Sequence, residues 1–298
     1  MSKLTVAPWW AKVAIKIALG VVPIPYEKIR SALTGNRGGM EIPEYAQQIF
    51  ERVKEQFMAN SGSPEGCTIM EIGPGGSLLT GVFAKAMGFE RCILIDVGDF
   101  ASRDPDMYKE WIGMLSGPDQ EIFEHELNAQ GDVLSALESI GIHYYTDGIL
   151  SLASLGNSSV DFSFSNAVLE HIKRNAFKDF SKELSRVHKE KSVSVHHVDY
   201  KDHLGGGLNN LRFSGNVWES PLFTNDGFYT NRYRHYEIRH YLENAGFSLI
   251  KEELSRWEKL PISRKQMALE FQEIDDDELL VSGAFLVTRK ESRLVLEK

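Results

Sequence analysis

Cysteine is nearly missing from this chain: Cys67 and Cys92 are the only two among 298 residues. Both fall inside apolar runs of strand character, where they are expected as buried thiols. Two such residues exclude a disulfide framework and give no zinc-ligand spacing, and the pattern fits a reducing cytoplasm. Long basic runs are missing too. With a formal charge of −9, a nucleic-acid partner is not expected. The apolar stretch 8–22 is too short to span a bilayer, is interrupted by Lys12 and Lys16, and lacks a secretory cleavage pattern. Internal repeats and low-complexity linkers are also absent. What remains is ordinary globular composition, 42% hydrophobic and 25% charged. The length suits one large α/β domain with additions, or two small ones.

The most informative stretch runs from Cys67 to Leu79. Thr68–Ile72 has strand character, Gly73-Pro74-Gly75-Gly76 breaks it, and Leu78, Leu79, Val82, Phe83 and Met87 then recur at helical spacing. Glycines at such a turn let a ligand approach backbone N–H groups, and the helix start favours a negative group. Two common ligands fit poorly. A phosphate loop needs Gly-Lys-Ser/Thr at the helix start, and no basic residue is there. A dinucleotide fingerprint counted from Gly73 needs glycine or alanine where Leu78 stands. A second apolar run, Arg91–Val97, carries Asp96 near its tip. In a βαβ unit an acid there accepts both hydrogen bonds of a ribose diol; a plain strand-end turn is the other reading.

Glu71-x-Gly73-x-Gly75, followed by Asp96, resembles the opening motifs of class I S-adenosylmethionine (SAM) dependent methyltransferases, with Ser77 where a third glycine often stands. SAM carries a carboxylate and no phosphate, so a loop without Lys or Arg suits it. Further along, Ser165-Asn166-Ala167-Val168-Leu169-Glu170-His171 is similar to the Ser-x-x-Val-Leu-Glu-His of many small-molecule methyltransferases. Asp147-Gly148, after the short strand His143–Tyr145, matches the place where that family meets the adenine amino group; an Asp-Gly turn without a ligand is the alternative. The resemblance spans roughly residues 65–200. It implies SAM as cofactor, held by Glu71, Gly73, Gly75, Asp96, Asp147, Gly148 and Asn166. It also implies a Rossmann-like seven-stranded sheet whose last strand, within Leu279–Thr288, runs antiparallel.

Strand–helix alternation itself points to a doubly wound α/β sheet. Residues 1–60, including an amphipathic helix over Ile42–Met58, are expected as an N-terminal helical cap, and 61–298 as the SAM-binding domain. Residues 205–235 form an insertion after strand five, on the acceptor side, and the stretch Gly98–Gly131 is long enough to be another near the ligand. Helices are expected from near Val168 and over Asn231–Phe247. Residues 8–22 are left as a helix packed on the domain, a peripheral membrane contact, a cover of the active site or a subunit contact.

A sulfonium already activates its methyl group, so the protein mainly supplies alignment. A hydroxyl acceptor must also lose its proton, and an amine must keep its lone pair uncharged. Strand five, Ser192–Asp199, ends in His196, His197 and Asp199, with Asp202 and His203 beyond, at the edge where ligands of open α/β sheets sit. A histidine with an aspartate partner there is a general base or a loop anchor. Strand alternation puts His196 and His197 on opposite faces, and His197 is assigned to the acceptor. His171, after strand four, could reach the acceptor or serve a structural or donor-side role, and no metal site is expected. The expected activity is SAM-dependent methyl transfer to a hydroxyl or amine of a small molecule: a specialised metabolite, a sugar or a lipid-linked glycan. A non-catalytic SAM-fold scaffold and a nicotinamide-dependent oxidoreductase are the alternatives.

Overall fold

The apolar runs pair side by side into one sheet. The computed structural model describes residues 8–11, 13–14, 39–115, 117–224 and 229–292. Its strands are β1 (Thr68–Ile72), β2 (Arg91–Ile95), β3 (Ile142–Tyr145), β4 (Val160–Asn166), β5 (His188–Asp199), β6 (Phe247–Arg256) and β7 (Val281–Lys290). They stand in the order β3-β2-β1-β4-β5-β7-β6. β1 to β5 pair in parallel, and β7 runs antiparallel to both β5 and β6. This is the Rossmann-like methyltransferase sheet that the resemblance implies. Central β1 is covered on both faces, which explains why four of its five residues are buried. Strand order reverses between β1 and β4, so the crevice at their carboxyl ends is the natural ligand position.

The helices that matter here are α1 (Pro43–Asn60), α2 (Leu79–Met87), α3 (Pro105–Ile112), α4 (Asp119–Gln130), α5 (Val133–Ser139), α6 (Ile149–Ser154), α7 (Arg174–Val187) and α8 (His235–Asn244). Pro43 opens α1, where its missing N–H costs nothing. Phe50, Val53 and Phe57 of α1 are buried in the same apolar cluster as Leu79 and Val82 of α2 and Val193, Val195 and Phe285 of the sheet. The Phe57 ring meets Phe162 edge-on at 5.4 Å and Phe89 at 4.7 Å. Residues 43–60 thus cover one face of the sheet directly. α7 and α8 cover the other, through Phe177, Leu184, Ile238 and Leu242 against Met70, Ile93 and Leu286.

Three boundaries differ from expectation. The helix expected from near Val168 is a single 3-10 turn, Leu169–His171, and α7 begins only at Arg174. Ala167 turns through a left-handed φ of 54°, and the Asn231 side-chain amide takes the Leu169 and Ile172 carbonyls at 2.7 and 2.9 Å. The expected helix from Asn231 starts at His235 instead. Asn231 donates its backbone N–H to the Glu170 carbonyl at 2.7 Å, and Arg232 has φ 61°, so this segment straps the 3-10 turn before it can coil. β5 also starts earlier, at His188, with an irregularity opposite β4.

Both long excursions leave from the carboxyl edge: residues 200–234 after β5, and 257–280 between β6 and β7. Each contributes to a small satellite core, Leu208 and Leu211 packing with Ile262, Met267, Phe271 and Leu279. Of the stretch 8–22, residues 8–11 and 13–14 are described. Val13 is buried among Leu204, Trp218, Phe223 and Tyr229, and the Trp9 ring meets Phe213 edge-on at 6.0 Å. The rest of that stretch and the expected break at Pro23 and Pro25 lie outside the described residues. No described helix is long and apolar enough to cross a membrane.

Candidate active site

The glycine turn is built from what its neighbours leave room for. Gly73 takes φ 75° and Gly75 φ 69°, conformations that cost other residues dearly. The Gly73 N–H donates to the Ile95 carbonyl at 2.8 Å. A Cβ added to Gly73 would stand 2.4 Å from Val168 Cγ2, so glycine lets the loop pass over the turn that follows β4. The glycine loop and the Val168–His171 turn are therefore in direct contact.

Asp96 sits one residue past β2, 9% exposed. Its Oδ2 accepts from Gly75 N–H at 3.0 Å and its Oδ1 from Val97 N–H at 2.7 Å. These two backbone donors orient the carboxylate. Gly148, with φ 55°, donates its N–H to the Asp96 carbonyl at 2.8 Å. A Cβ on Gly148 would lie 3.0 Å from Val97 Cγ1. Exposed Asp147 has its own N–H fixed by Ser151 Oγ at 3.0 Å. The structure thus brings Gly75, Asp96, Asp147 and Gly148 to one corner. Two large aliphatic side chains are left open there, Val97 at 79% and Leu150 at 71% exposure.

Tyr108 occupies one backbone donor at the start of α2. Its ring is fully buried, its hydroxyl donates to the Ser102 carbonyl at 2.8 Å, and the Leu78 N–H donates to it at 3.2 Å. That N–H is one a phosphate at the helix start would use, and it is already satisfied. The stretch Gly98–Gly131 is thereby tied to the core, with Trp111 edge-on to Phe83 at 5.3 Å. Sequence reasoning missed Tyr108 because a hydroxyl reaching back thirty residues (108 minus 78) leaves no local pattern.

Glu71, expected among the donor contacts, is enclosed by protein. It is buried beneath the loop, on the face covered by α2, where Thr80 Oγ1 donates to its Oε2. Burial pushes its carboxyl up to about 8, so it is neutral at pH 7 and supports the loop from below. The folded value lies above the ordinary 4.5. Its stabilising contribution is therefore complete below 4.5 and fades as pH rises through 8. Glu71→Gln, which cannot ionise, should abolish a loss of roughly 2–3 kcal/mol between about pH 6 and about pH 8. Urea unfolding of both proteins across that range checks it.

At the β4–β5 edge the histidines separate as alternation requires. His196 is 0% exposed, with Nδ1 2.8 Å from Ser165 Oγ and Nε2 2.8 Å from Ser194 Oγ. It belongs to an interior chain that continues through Ser163 (2.7 Å from Ser194) to His188 and Ser192. This removes His196 from the catalytic candidates: no substrate reaches it. His197, on the other face, is half-buried, with Nδ1 2.9 Å from Asn166 Oδ1. Asn166, expected at the donor, is thus engaged by His197. Burial lowers the His197 pKa and favours its neutral form.

The expected histidine–aspartate pairing is not made by Asp199. Its carboxylate accepts from Lys201 N–H at 3.0 Å and pairs with Lys201 Nζ at 3.5 Å, and its own N–H donates to Glu170 Oε1 at 3.2 Å. Asp202 is buried and accepts the backbone N–H groups of Leu204, Gly206 and Asn209, an anchor for the loop. His203 is exposed, its ring 5.0 Å from that of His171.

His171 is the residue that the geometry raises. It is exposed, three positions after the Val168 that presses on Gly73, and its Nδ1 lies 2.9 Å from the Tyr229 carbonyl oxygen. A carbonyl only accepts, so Nδ1 carries the proton and Nε2 of the neutral ring presents its lone pair. Among the described residues, no group of His, Cys, Asp and Glu is placed to hold a metal ion.

No protein-family model matches the chain, and no curated protein matches it. Among solved structures, a SAM-dependent methyltransferase from Archaeoglobus fulgidus is 14% identical, with 90% of this chain and 100% of that one covered at a TM-score of 0.46. Magnesium protoporphyrin IX methyltransferase from Synechocystis, with bound S-adenosylhomocysteine (SAH), is 14% identical over 83% of each chain at 0.44. A SAM-dependent methyltransferase from Mesorhizobium loti is 14% identical, covering 79% of this chain and 96% of that one at 0.43. These structural neighbours are SAM-dependent methyltransferases. Likenesses this distant carry no function with them.

Proposed function

We propose that this chain binds SAM and transfers its methyl group to a hydroxyl or amine of a small molecule. The observation that carries the reading is the corner at the tips of β1, β2 and β3. Asp96, aimed by the Gly75 and Val97 N–H groups, suits a ribose diol. Val97 and Leu150 offer aliphatic surface to a planar base, and Asp147 an acceptor for its amino group. Tyr108 on the Leu78 N–H speaks for a ligand without a phosphate, and so against a nicotinamide dinucleotide.

In the reaction, a lone pair of the acceptor oxygen or nitrogen attacks the methyl carbon. SAM held at the corner would supply the activated methyl carbon and leave as the neutral thioether. The acceptor's proton goes to Nε2 of His171, whose tautomer the Tyr229 carbonyl sets. His203 lies beside that ring and His197 stands on the far side of Asn166, where each contributes to the acceptor's surroundings. The buried aromatic cluster of Trp218, Phe223 and Tyr229, joined by Val13, backs the segment that carries the Tyr229 carbonyl. Two free thiols suit a cytoplasmic setting.

The test is incubation with methyl-labelled SAM and a panel of phenols, sugars and amines. SAH formed together with a labelled acceptor supports the reading. Binding of NADH with none of SAM contradicts it.

A further inference from the structure

The segment just ahead of α1 lies across the glycine turn. Ser77 Oγ donates to the Met40 carbonyl, and the Ile42 N–H closes a turn on the Gly39 carbonyl at 2.9 Å. Gly39 takes φ 79° to make that turn. Glu41, between them, is brought so close to Gly76 that a Cβ there would stand 2.7 Å from its Oε2. That oxygen is enclosed, and among the described residues no hydrogen bond reaches it. The next helix offers it little, because Pro43 at its start has no N–H. A carboxylate oxygen withdrawn from water with no donor is a costly arrangement unless a ligand supplies one.

Which part of the ligand reaches it follows from the corner already described. With the base at Asp147 and the ribose at Asp96, the remaining end of SAM, its α-amino acid, extends over the glycine turn. Of the two charged groups at that end, the α-carboxylate would be repelled by Glu41 and the ammonium attracted. We infer that Glu41 is the seat of the donor's ammonium group, and that residues 39–42 close on the amino-acid end of SAM. This rests on the SAM reading above. Gly76 is then small because the carboxylate occupies the space of its side chain.

Calorimetric titration of the full chain with SAM and with 5′-methylthioadenosine separates the two claims, since the second ligand keeps base and ribose but has no amino-acid end. Glu41→Gln should weaken SAM by roughly tenfold or more, the loss of one charge-assisted contact, and leave methylthioadenosine within about twofold of the unaltered protein. Unchanged SAM affinity would overturn the assignment. So would equal losses for both ligands, which would make Glu41 a prop of the loop. An unaltered protein that binds methylthioadenosine but gains nothing from the amino-acid end would overturn it as well, with the adenosine corner intact. If it binds neither ligand, the SAM reading itself fails and takes this one with it.

Discussion

Stability should be highest near pH 6 and fall on either side, by on the order of 4 kcal/mol near pH 3 and again near pH 8. The acid limb comes from His188 and His196. Burial pushes both from the ordinary 6.5 down to about 3. Folded, they stay neutral while the unfolded chain takes up protons, so stability is lost as pH falls through that interval. The alkaline limb comes from Glu71 and Glu170, which burial raises from 4.5 to about 8. Their contribution is whole below 4.5 and fades as pH rises toward 8. Between 4.5 and 6.5 the two pairs oppose each other and cancel. Each limb is comparable with the lower end of total domain stability, about 5 kcal/mol, so both are open to urea titration. His196→Asn should roughly halve the acid limb, just as Glu71→Gln should halve the alkaline one. A stability with no slope on either side would contradict the buried, neutral assignment of these four groups.

Replacing His171 by alanine should lower turnover on the order of 100- to 10,000-fold, with SAM affinity nearly unchanged. The turn it stands on is held by Asn231 through the Leu169 and Ile172 carbonyls, independently of the imidazole. His171→Asn sharpens the test. An amide can still donate to the Tyr229 carbonyl but cannot take the acceptor's proton, so a structural role would be rescued and a general base would not. The unaltered enzyme should lose turnover as acid protonates Nε2, and that acid limb should vanish in both variants. His197→Ala should cost less, since its Nδ1 is occupied with Asn166. If His197→Ala collapses turnover and His171→Ala spares it, the base lies on the α1 side of β5. If both variants stay active, alignment alone drives transfer and the acceptor is an amine.

The centre of the sheet was legible because β1 and β2 are short apolar runs closed by a glycine or an acidic residue, and each pattern is local. Thr68–Ile72 before Gly73 and Arg91–Ile95 before Asp96 are signals of this kind. That Asp96 stands just past β2 and Gly148 just past β3 followed from the same locality. Glu71 did not: its place in a motif gives no sign that its side chain turns under the strand to Thr80. The boundaries missed near Val168 and Asn231 share one cause, since each segment is shaped by the other across the fold, Asn231 against Leu169, Glu170 and Ile172. Periodicity cannot report such a partner. The histidine pair at the end of β5 was separable by alternation alone, with His196 inside. Which histidine offers an unprotonated nitrogen depends on a carbonyl at Tyr229, fifty-eight residues from His171 and invisible to any motif.

The central claim is that SAM is held at the corner of Gly75, Asp96 and Asp147. Isothermal titration of the purified chain with SAH, alongside Asp96→Ala, tests it most directly. The unaltered protein should bind one equivalent, and the variant, with the same thermal unfolding, should lose about 1.5–3 kcal/mol of binding free energy, the worth of hydrogen bonds to a charged group. A protein that shows no binding, or a variant that binds as tightly as the unaltered chain, would contradict it.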